Sequence, residues 1–242
     1  QFLLDNAIWL LSLVLLIGGA GIYFYSQWQQ ERLMRLLLVE SADQYAKALS
    51  EFRSLYTDKV VSVARTQGIA ISHNLDDSPH ALPLPATLTI MLGNHLTAAN
   101  DSAGTRLFSP FPFPWRQQSG GLRDDFDRDA WRYFQQFPDK PYYRFYRESG
   151  GDRLRYATAD RMRQACIGCH NSHPDSPRRN WQVGDVRGII SVSLPLDRVR
   201  QQAEQGLQGS LLLILVVSLI AVAGLYVVIR QLREAAASAH AA

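Results

Sequence analysis

The chain has 242 residues, a formal net charge of +3 and 47% hydrophobic residues. The positive charge is mild and the arginines are scattered, whereas nucleic-acid-binding domains group them into patches, so we expect no nucleic-acid partner. Both of the 2 cysteines lie within one short motif, which leaves no thiol for a separate disulfide, metal site or nucleophile.

Two segments without charged residues predict membrane-spanning helices. The first runs from Ala7 to Tyr25 and the second from Ser210 to Ile229. Each has about 20 residues, the length that crosses a hydrocarbon core of about 30 Å. We therefore expect an N-terminal membrane helix at 1–26, one folded domain at 27–208, a C-terminal membrane helix at 209–230 and a tail at 231–242.

The chain is expected to stay helical after the first span, to about Arg65. Apolar residues recur there at spacings of three and four, which indicates one face of a long helix. Such a face packs on its own domain or on a second copy, and a homodimer through this helix is expected as one possibility. The face consists of Leu38, Ala42, Tyr45, Leu49, Phe52, Tyr56, Val60 and Val63.

The middle of the chain combines turns, helices and an extended segment. The stretch 74–85 is turn-like, and helices are predicted over Ala86–Ala99, ended by Asn100 and Asp101, and over Asp124–Phe137. Alternate prolines in Ser109–Arg116 exclude a helix or a central strand, so this aromatic segment is expected on the domain surface or lining a pocket.

Strand candidates follow in the second half. Strands are predicted at Tyr142–Arg147, Arg153–Ala157 and Val186–Leu194, with a hairpin break at Gly150-Gly151-Asp152. A short helix is expected at Asp160–Ala165 and another at Asp197–Gln208, leading into the second span. These elements predict an α+β domain, an antiparallel sheet with flanking helices between two transmembrane helices.

Cys166-Ile167-Gly168-Cys169-His170 carries the strongest chemical signal. C-x-x-C-H is the attachment signature of c-type haem. The two thiols add to the porphyrin vinyl groups, and the histidine becomes an axial iron ligand. The motif therefore predicts one covalent haem c.

Two other interpretations of the motif were weighed. Cys166, Cys169, His170 and His173 offer a zinc site, although four ligands within eight residues make an unusually tight knuckle. A thioredoxin-like C-x-x-C needs a strand-to-helix context. Neither accounts for a histidine placed directly after the second cysteine.

Residues 81–197 resemble the c-type haem family with a PAS-like fold, found as the periplasmic input domain of bacterial membrane sensor proteins. The resemblance implies a PAS-like sheet carrying one covalent haem. An output module usually follows the second span in that family. Here the sequence ends at Ala242, so we expect either an output domain beyond it or signalling or electron transfer through partners. The matching stretches are Leu82–Leu88, Pro112–Arg116, Leu154–Ala157, Ala159–Pro177, Trp181 and Gly184–Gly188.

Candidate haem contacts extend beyond the motif. His73 is favoured as the sixth iron ligand because it ends an apolar run far in sequence from His170, and a vacant or water-bound position is the next alternative. The other candidate side chains are His80, His95, His173 and Met91. Arginines around the motif are expected to meet the anionic propionates: Arg161, Arg163, Arg178, Arg179 and Arg187. Candidate pocket walls are Phe111, Phe113, Trp115, Tyr156 and Trp181.

These observations predict a mono-haem c-type cytochrome domain anchored in a bacterial inner membrane, with the domain in the periplasm. The expected role is sensing redox state or a small gaseous ligand, relayed through the second transmembrane helix. The rival is an electron carrier bound to a redox partner or a larger membrane complex. No distal acid–base constellation is recognisable, so we do not expect an enzyme.

Overall fold

The computed structural model describes residues 2–100, 104–148 and 151–241. Asp101 and Gly150, which were named in the predicted helix end and hairpin break, lie outside the described residues. The chain divides into two compact units. One is Leu36–Asp197, and the other combines Gln1–Arg35 with Arg198–Ala242.

The described residues contain seven α-helices and six strands. A π-helical turn at Tyr56–Val61 separates the first two helices, and a 3₁₀ turn occupies Pro114–Arg116. The helices are α1 (Phe2–Leu55), α2 (Ser62–Thr66), α3 (Pro85–Asn100), α4 (Gln117–Gly120), α5 (Asp125–Gln136), α6 (Gln164–Ser172) and α7 (Asp197–Ala241). The strands are β1 (Ile71–Ser72), β2 (Leu82–Pro83), β3 (Gly104–Phe108), β4 (Tyr142–Glu148), β5 (Gly151–Arg161) and β6 (Val186–Pro195).

The centre of the larger unit is a four-stranded antiparallel sheet in the order β3-β6-β5-β4. It confirms the three strands predicted in the second half of the chain. β3 was not predicted, nor was the short parallel pair β1–β2. The mixed α and β composition agrees with the predicted fold class.

Helix α5 covers one face of this sheet. Its N-cap is Asp124, whose side-chain oxygen accepts from the backbone N–H of Asp127 at 2.9 Å, which satisfies one of the unpaired N–H groups of the first turn. Its apolar face is buried against the sheet, as the amphipathic pattern requires. This core contains Phe108, Phe126, Ala130, Phe134, Ala157 and Ile189.

The part of α1 in the larger unit contacts the opposite face. Tyr156 on β5 donates its hydroxyl to Asp43 at 2.6 Å. The predicted stripe is correct at Leu38, Ala42 and Leu49, which are buried. Beyond Leu49 the predicted stripe is wrong, because each buried residue lies one position after the predicted one.

The helix buries Arg53, Thr57, Val61 and Ala64, whereas the predicted Phe52, Val60 and Val63 are exposed. The physical reason is that Arg53 finds a buried carboxylate, Asp160, on the sheet. The homodimer expected through this helix stays a prediction.

The short helix predicted at Asp160–Ala165 is also wrong. β5 pairs with β6 as far as Arg161, so Asp160 belongs to a strand. The helix begins later, at Gln164, and contains the whole C-x-x-C-H motif.

Among the described residues, one helical segment is long and apolar enough to cross a membrane, Leu211–Leu232 in α7. It overlaps the second predicted span. The first predicted span, from Ala7 to Tyr25, falls within α1 and stays a prediction.

Candidate functional site

The motif helix α6 presents its reactive side chains to one cavity. Cys166, Cys169 and His170 stand at positions i, i+3 and i+4, which places them on the same helix face. All three line a cavity of about 750 Å³. That volume lies in the range of cofactor and small-molecule sites.

Aromatic rings form much of the cavity wall. The extended segment before the 3₁₀ turn contributes Phe111 and Phe113, the turn itself contributes Trp115, and Trp181 comes from the loop after α6. Asn171 fixes that loop through two hydrogen bonds with the backbone of Trp181, at 3.0 and 2.9 Å. The prolines keep the chain extended as far as Phe113, and its aromatic side chains line the cavity as predicted. The prediction that no helix forms up to Arg116 is wrong at Pro114–Arg116, because proline is tolerated in the first turn of a helix.

A chain of ring contacts connects His73 with the motif. His73 stacks on Trp115 with centroids 4.1 Å apart, and Trp115 stacks on Phe113 at 4.6 Å. Phe113 in turn meets His170 edge to face at 5.3 Å. His73 and His173 both line the cavity.

The charge of the cavity wall is mainly positive. Its lining includes five arginines and two aspartates among the described residues. The buried Nε of Arg116 has no hydrogen-bond partner among the described residues. Burial lowers the pKa of Arg116, and the nearby cations Arg106 and Arg123 lower it further. An anionic group held in this cavity would relieve both costs. The lining arginines are Arg53, Arg65, Arg116, Arg163 and Arg187.

A buried ion network lies beside His170. Arg187 donates to Asp160 Oδ2 from Nε at 3.0 Å and from Nη2 at 2.6 Å. Arg53 forms a two-point contact with the same carboxylate, Nη1 to Oδ2 at 3.1 Å and Nη2 to Oδ1. The remaining Arg187 nitrogen, Nη1, lies 2.9 Å from His170 Nε2.

This environment shifts two titrations. Burial lowers the pKa of His170 to about 4, and the neighbouring Arg187 cation acts in the same direction. Burial alone would raise the pKa of Asp160, but Arg187 and Arg53 outweigh it and hold the value at about 2. The neutral imidazole that results is the form that binds metals.

The structure brings together most of the predicted site residues. Arg163 and Arg187 line the cavity as expected for anion contacts, with Trp115 and Trp181 in the wall. Cys166, Cys169, His170 and His73 face the same space. These residues fit a covalently held haem, because thiols, an axial histidine, aromatic walls and cations for propionates converge there.

Several predicted residues lie outside the cavity lining, which corrects the sequence analysis. Arg161 points away from the cavity, because it pairs with Asp139 at 2.6 Å and donates to the Gly184 carbonyl at 3.0 Å. Tyr156 is fully buried between the sheet and α1. Arg178 lies outside the cavity lining, with its guanidinium over the Trp181 ring at 4.1 Å. The other candidates outside the lining are Arg179, His80, His95 and Met91.

Sequence reasoning missed Arg53 and Asp160 as site residues. One signal was present. Arg53 follows Leu49 by four residues on an otherwise apolar helix face, and a charge at such a position requires a buried partner. Asp160 shares its strand face with the buried Leu154 and Tyr156.

The zinc interpretation of the motif finds no support in the geometry. Across the described ranges, no group of three or more His, Cys, Asp or Glu side chains is arranged to hold a metal ion. Cys166 and Cys169 are both free thiols and only partly buried.

The family model named Tll0287-like matches residues 30–195. That match covers more than half of the chain. The chain belongs to the Tll0287-like family. The matched range contains the sheet, the motif helix and every residue of the cavity described above. No curated protein and no solved structure matches the chain with significant similarity.

Proposed function

We propose that this Tll0287-like domain carries one haem c, bound through Cys166 and Cys169 with His170 as an axial iron ligand. The observation that supports this most is that these three side chains face a single cavity of about 750 Å³. Arg116 and Arg163 supply cations for the propionates. When bound, the haem supplies a reversible one-electron couple and an iron coordination position.

Covalent attachment is tested with the full chain expressed in a bacterium that matures c-type cytochromes. We expect haem to stay with the polypeptide on a denaturing gel and to give a c-type pyridine haemochrome. Cys166→Ala with Cys169→Ala should abolish the haem stain, whereas His173→Ala, a cavity residue outside the motif, should keep it. Extraction of all haem by acid-acetone from the parent protein would contradict the proposal.

The domain is further proposed to have a PAS-like fold and to lie in the periplasm, anchored in a bacterial inner membrane. Its four-stranded antiparallel sheet with helices on its faces supports the first point. The apolar segment Leu211–Leu232 supports anchoring. C-type haem is attached outside the cytoplasm, which supports the location.

Sensing of redox state or of a small gaseous ligand is the role we propose for this haem. The cavity is lined by many residues outside the motif, and this supports space beside the iron for a displaceable ligand. A binding and relay role, rather than an enzyme, fits a wall of aromatic rings and arginines. Helix α7, which begins at Asp197 directly after β6, is the proposed relay.

An electron carrier is the second candidate, and one observation favours it. Helix α6 has no buried residue, so the edge of a cofactor attached to it lies near the surface where a redox partner docks. Carbon monoxide distinguishes the two roles. A sensor of gaseous ligands should bind it in the ferrous state, whereas a carrier with two strong axial ligands should not and should instead exchange electrons rapidly with another cytochrome.

A further inference from the structure

The side chain of Arg187 reaches His170 only because of an irregularity in the sheet. Asp160 pairs with Gly188 and Arg161 with Val186, which leaves Arg187 as the extra residue of a bulge on β6. A regular strand would direct residues 187 and 188 to opposite faces. The bulge turns Arg187 onto the face that carries Asp160, the way bulges re-aim side chains beside functional sites.

The stability of the domain does not explain this network. Arg53 and Asp160 are only 5% and 4% exposed, and burying charges costs desolvation free energy that an ion pair rarely recovers in full. Two arginines share one carboxylate, so the buried cluster retains one positive charge. Apolar side chains of similar volume would fill this space at no such cost.

We propose that Arg187 and Asp160 set the charge beside the haem iron and that Asp160 and Arg53 tie Arg187 to α1, so that the oxidation state of the iron and the packing of α1 are coupled. This inference rests on the proposed function, since it needs a haem attached at the motif. It assigns the coupling to α1, in addition to the relay proposed through α7.

The sign of the electrostatic effect follows from the charges. One electron from an external donor converts ferric to ferrous iron and lowers the positive charge at the site by one. The Arg187 cation therefore stabilises the ferrous state and raises the reduction potential, while the Asp160 carboxylate has the opposite effect. Low water access strengthens both effects.

The link to α1 follows from the shared carboxylate. Asp160 accepts from Arg187 and from Arg53 at the same time, and the Arg53 backbone carbonyl also accepts from Thr57 at 2.7 Å. Oxidation adds a positive charge beside Arg187, which repels its guanidinium and attracts the Asp160 carboxylate, so the cluster rearranges and its contact to α1 changes. By reciprocity, whatever alters α1 at Arg53 alters the potential.

The test is a redox titration of the full chain in detergent with dithionite and ferricyanide. We expect Arg187→Gln to lower the potential by a tenfold change in the equilibrium constant, about 59 mV for a one-electron couple. Asp160→Asn should raise it. Arg161→Gln is the matched control, because it removes the same charge next to Asp160 in sequence but its side chain contacts Asp139.

A second measurement reads α1 directly. Amide hydrogen exchange of residues 43–55 should differ by about threefold or more between the oxidised and reduced parent protein. Arg53→Gln should abolish that difference. Arg187→Lys keeps the charge and should recover most of the potential, so it serves where Arg187→Gln fails to fold.

The inference fails separately from the proposed function. A parent protein without a c-type pyridine haemochrome overturns both. If haem is attached, two results overturn the coupling alone: potentials of Arg187→Gln and Asp160→Asn that shift in the same direction or match Arg161→Gln, or α1 exchange that does not depend on oxidation state.

Discussion

His73 and Trp115 stack face to face, with ring centroids 4.1 Å apart and planes inclined by 15°. This contact holds His73 at the cavity wall, although the residue belongs to a turn-rich segment remote in sequence from the motif. His73 and His173 are the two sixth-ligand candidates that line the cavity. The backbone N–H of Asp175 donates to His173 Nδ1 at 3.1 Å, which fixes that ring within its own loop.

We therefore expect His73→Ala to change the haem spectrum and His173→Ala to leave it unchanged. Loss of a nitrogen ligand should convert low-spin ferric haem to high-spin and let ferrous haem bind carbon monoxide more tightly than the parent, in which the gas must first displace His73. Optical and electron paramagnetic resonance spectra of both variants measure this. Exposed His80, outside the cavity lining, provides the control as His80→Ala. An identical spectrum in His73→Ala would exclude the residue as a ligand.

Asp160 should make stability depend on pH in the acid range. Its pKa is held at about 2 in the folded chain against an ordinary value of 3.8, so the unfolded chain takes up the proton first. The resulting stabilisation, on the order of 2 kcal/mol, is present above about pH 4 and lost as the pH falls towards about 2. Urea unfolding of the parent and Asp160→Asn measures it.

The difference in unfolding free energy between these two proteins should shrink as the pH is lowered. Asp125→Asn serves as control because that carboxylate is exposed, and its variant should follow the parent at every pH. A parent–variant difference that stays constant between about pH 5 and about pH 2 would contradict the pairing of Asp160.

A substitution at Gly188 tests how closely β3 and β6 approach each other beside the Arg187–Asp160–Arg53 network. A Cβ built at this residue meets the Phe108 carbonyl oxygen at 2.8 Å, a backbone atom that moves only with its strand. Gly188→Ala should therefore cost about 1–3 kcal/mol. At Gly104, in the same strand pair, the nearest contact is an ordinary 3.7 Å, and Gly104→Ala should stay within about 0.5 kcal/mol of the parent. Equal unfolding midpoints for the two variants would argue against the packing.

A truncation at Phe134 tests how much the core between α5 and the sheet contributes to stability. It is fully buried, whereas Phe137 at the end of the same helix is 43% exposed. Truncating a buried phenylalanine costs about 3–5 kcal/mol, because transfer free energy is lost and a cavity remains. Thermal unfolding should show a much larger loss for Phe134→Ala than for Phe137→Ala. The reverse order would contradict the placement of α5.

Topology can be checked with a reporter enzyme that is active only in the cytoplasm. Fused near Arg233 it should work, because both chain ends are expected on the cytoplasmic side. Inserted near Gly120, in the domain proposed to lie in the periplasm, it should be inactive. The opposite pattern would reverse the orientation and remove the support for haem attachment.

Local chemistry explains what the sequence could predict. The motif spacing, the proline-rich segment and the strands over residues 142–195 depend on neighbouring residues, and the structure has them where expected. Arg53 and Asp160 are different, because their partnership joins a helix and a strand that are distant in sequence. Hydrophobic periodicity alone places Phe52 inside and Arg53 outside, and only the tertiary ion pair reverses that order.

The end of β5 shows the same limit. Residues 160–165 read as a helix because they precede a helical motif, yet pairing with β6 extends the strand to Arg161. The bulge that redirects Arg187 leaves no mark in the local sequence. It exists because β6 places one extra residue, Arg187, opposite the step from Asp160 to Arg161 on β5.

The π-helical turn at Tyr56–Val61 makes the number of residues between Arg53 and Val61 critical. Arg53, Thr57 and Val61 are buried at successive steps of four, and in a regular α-helix three such steps, counted from Leu49, would rotate the stripe by about 120°. The wider π turn takes up part of that rotation. Inserting one further residue here would put the segments before and after the turn out of phase by about 100°. Homologous chains that keep both Arg53 and Val61 facing the cavity should therefore tolerate substitutions within this turn but no further insertion.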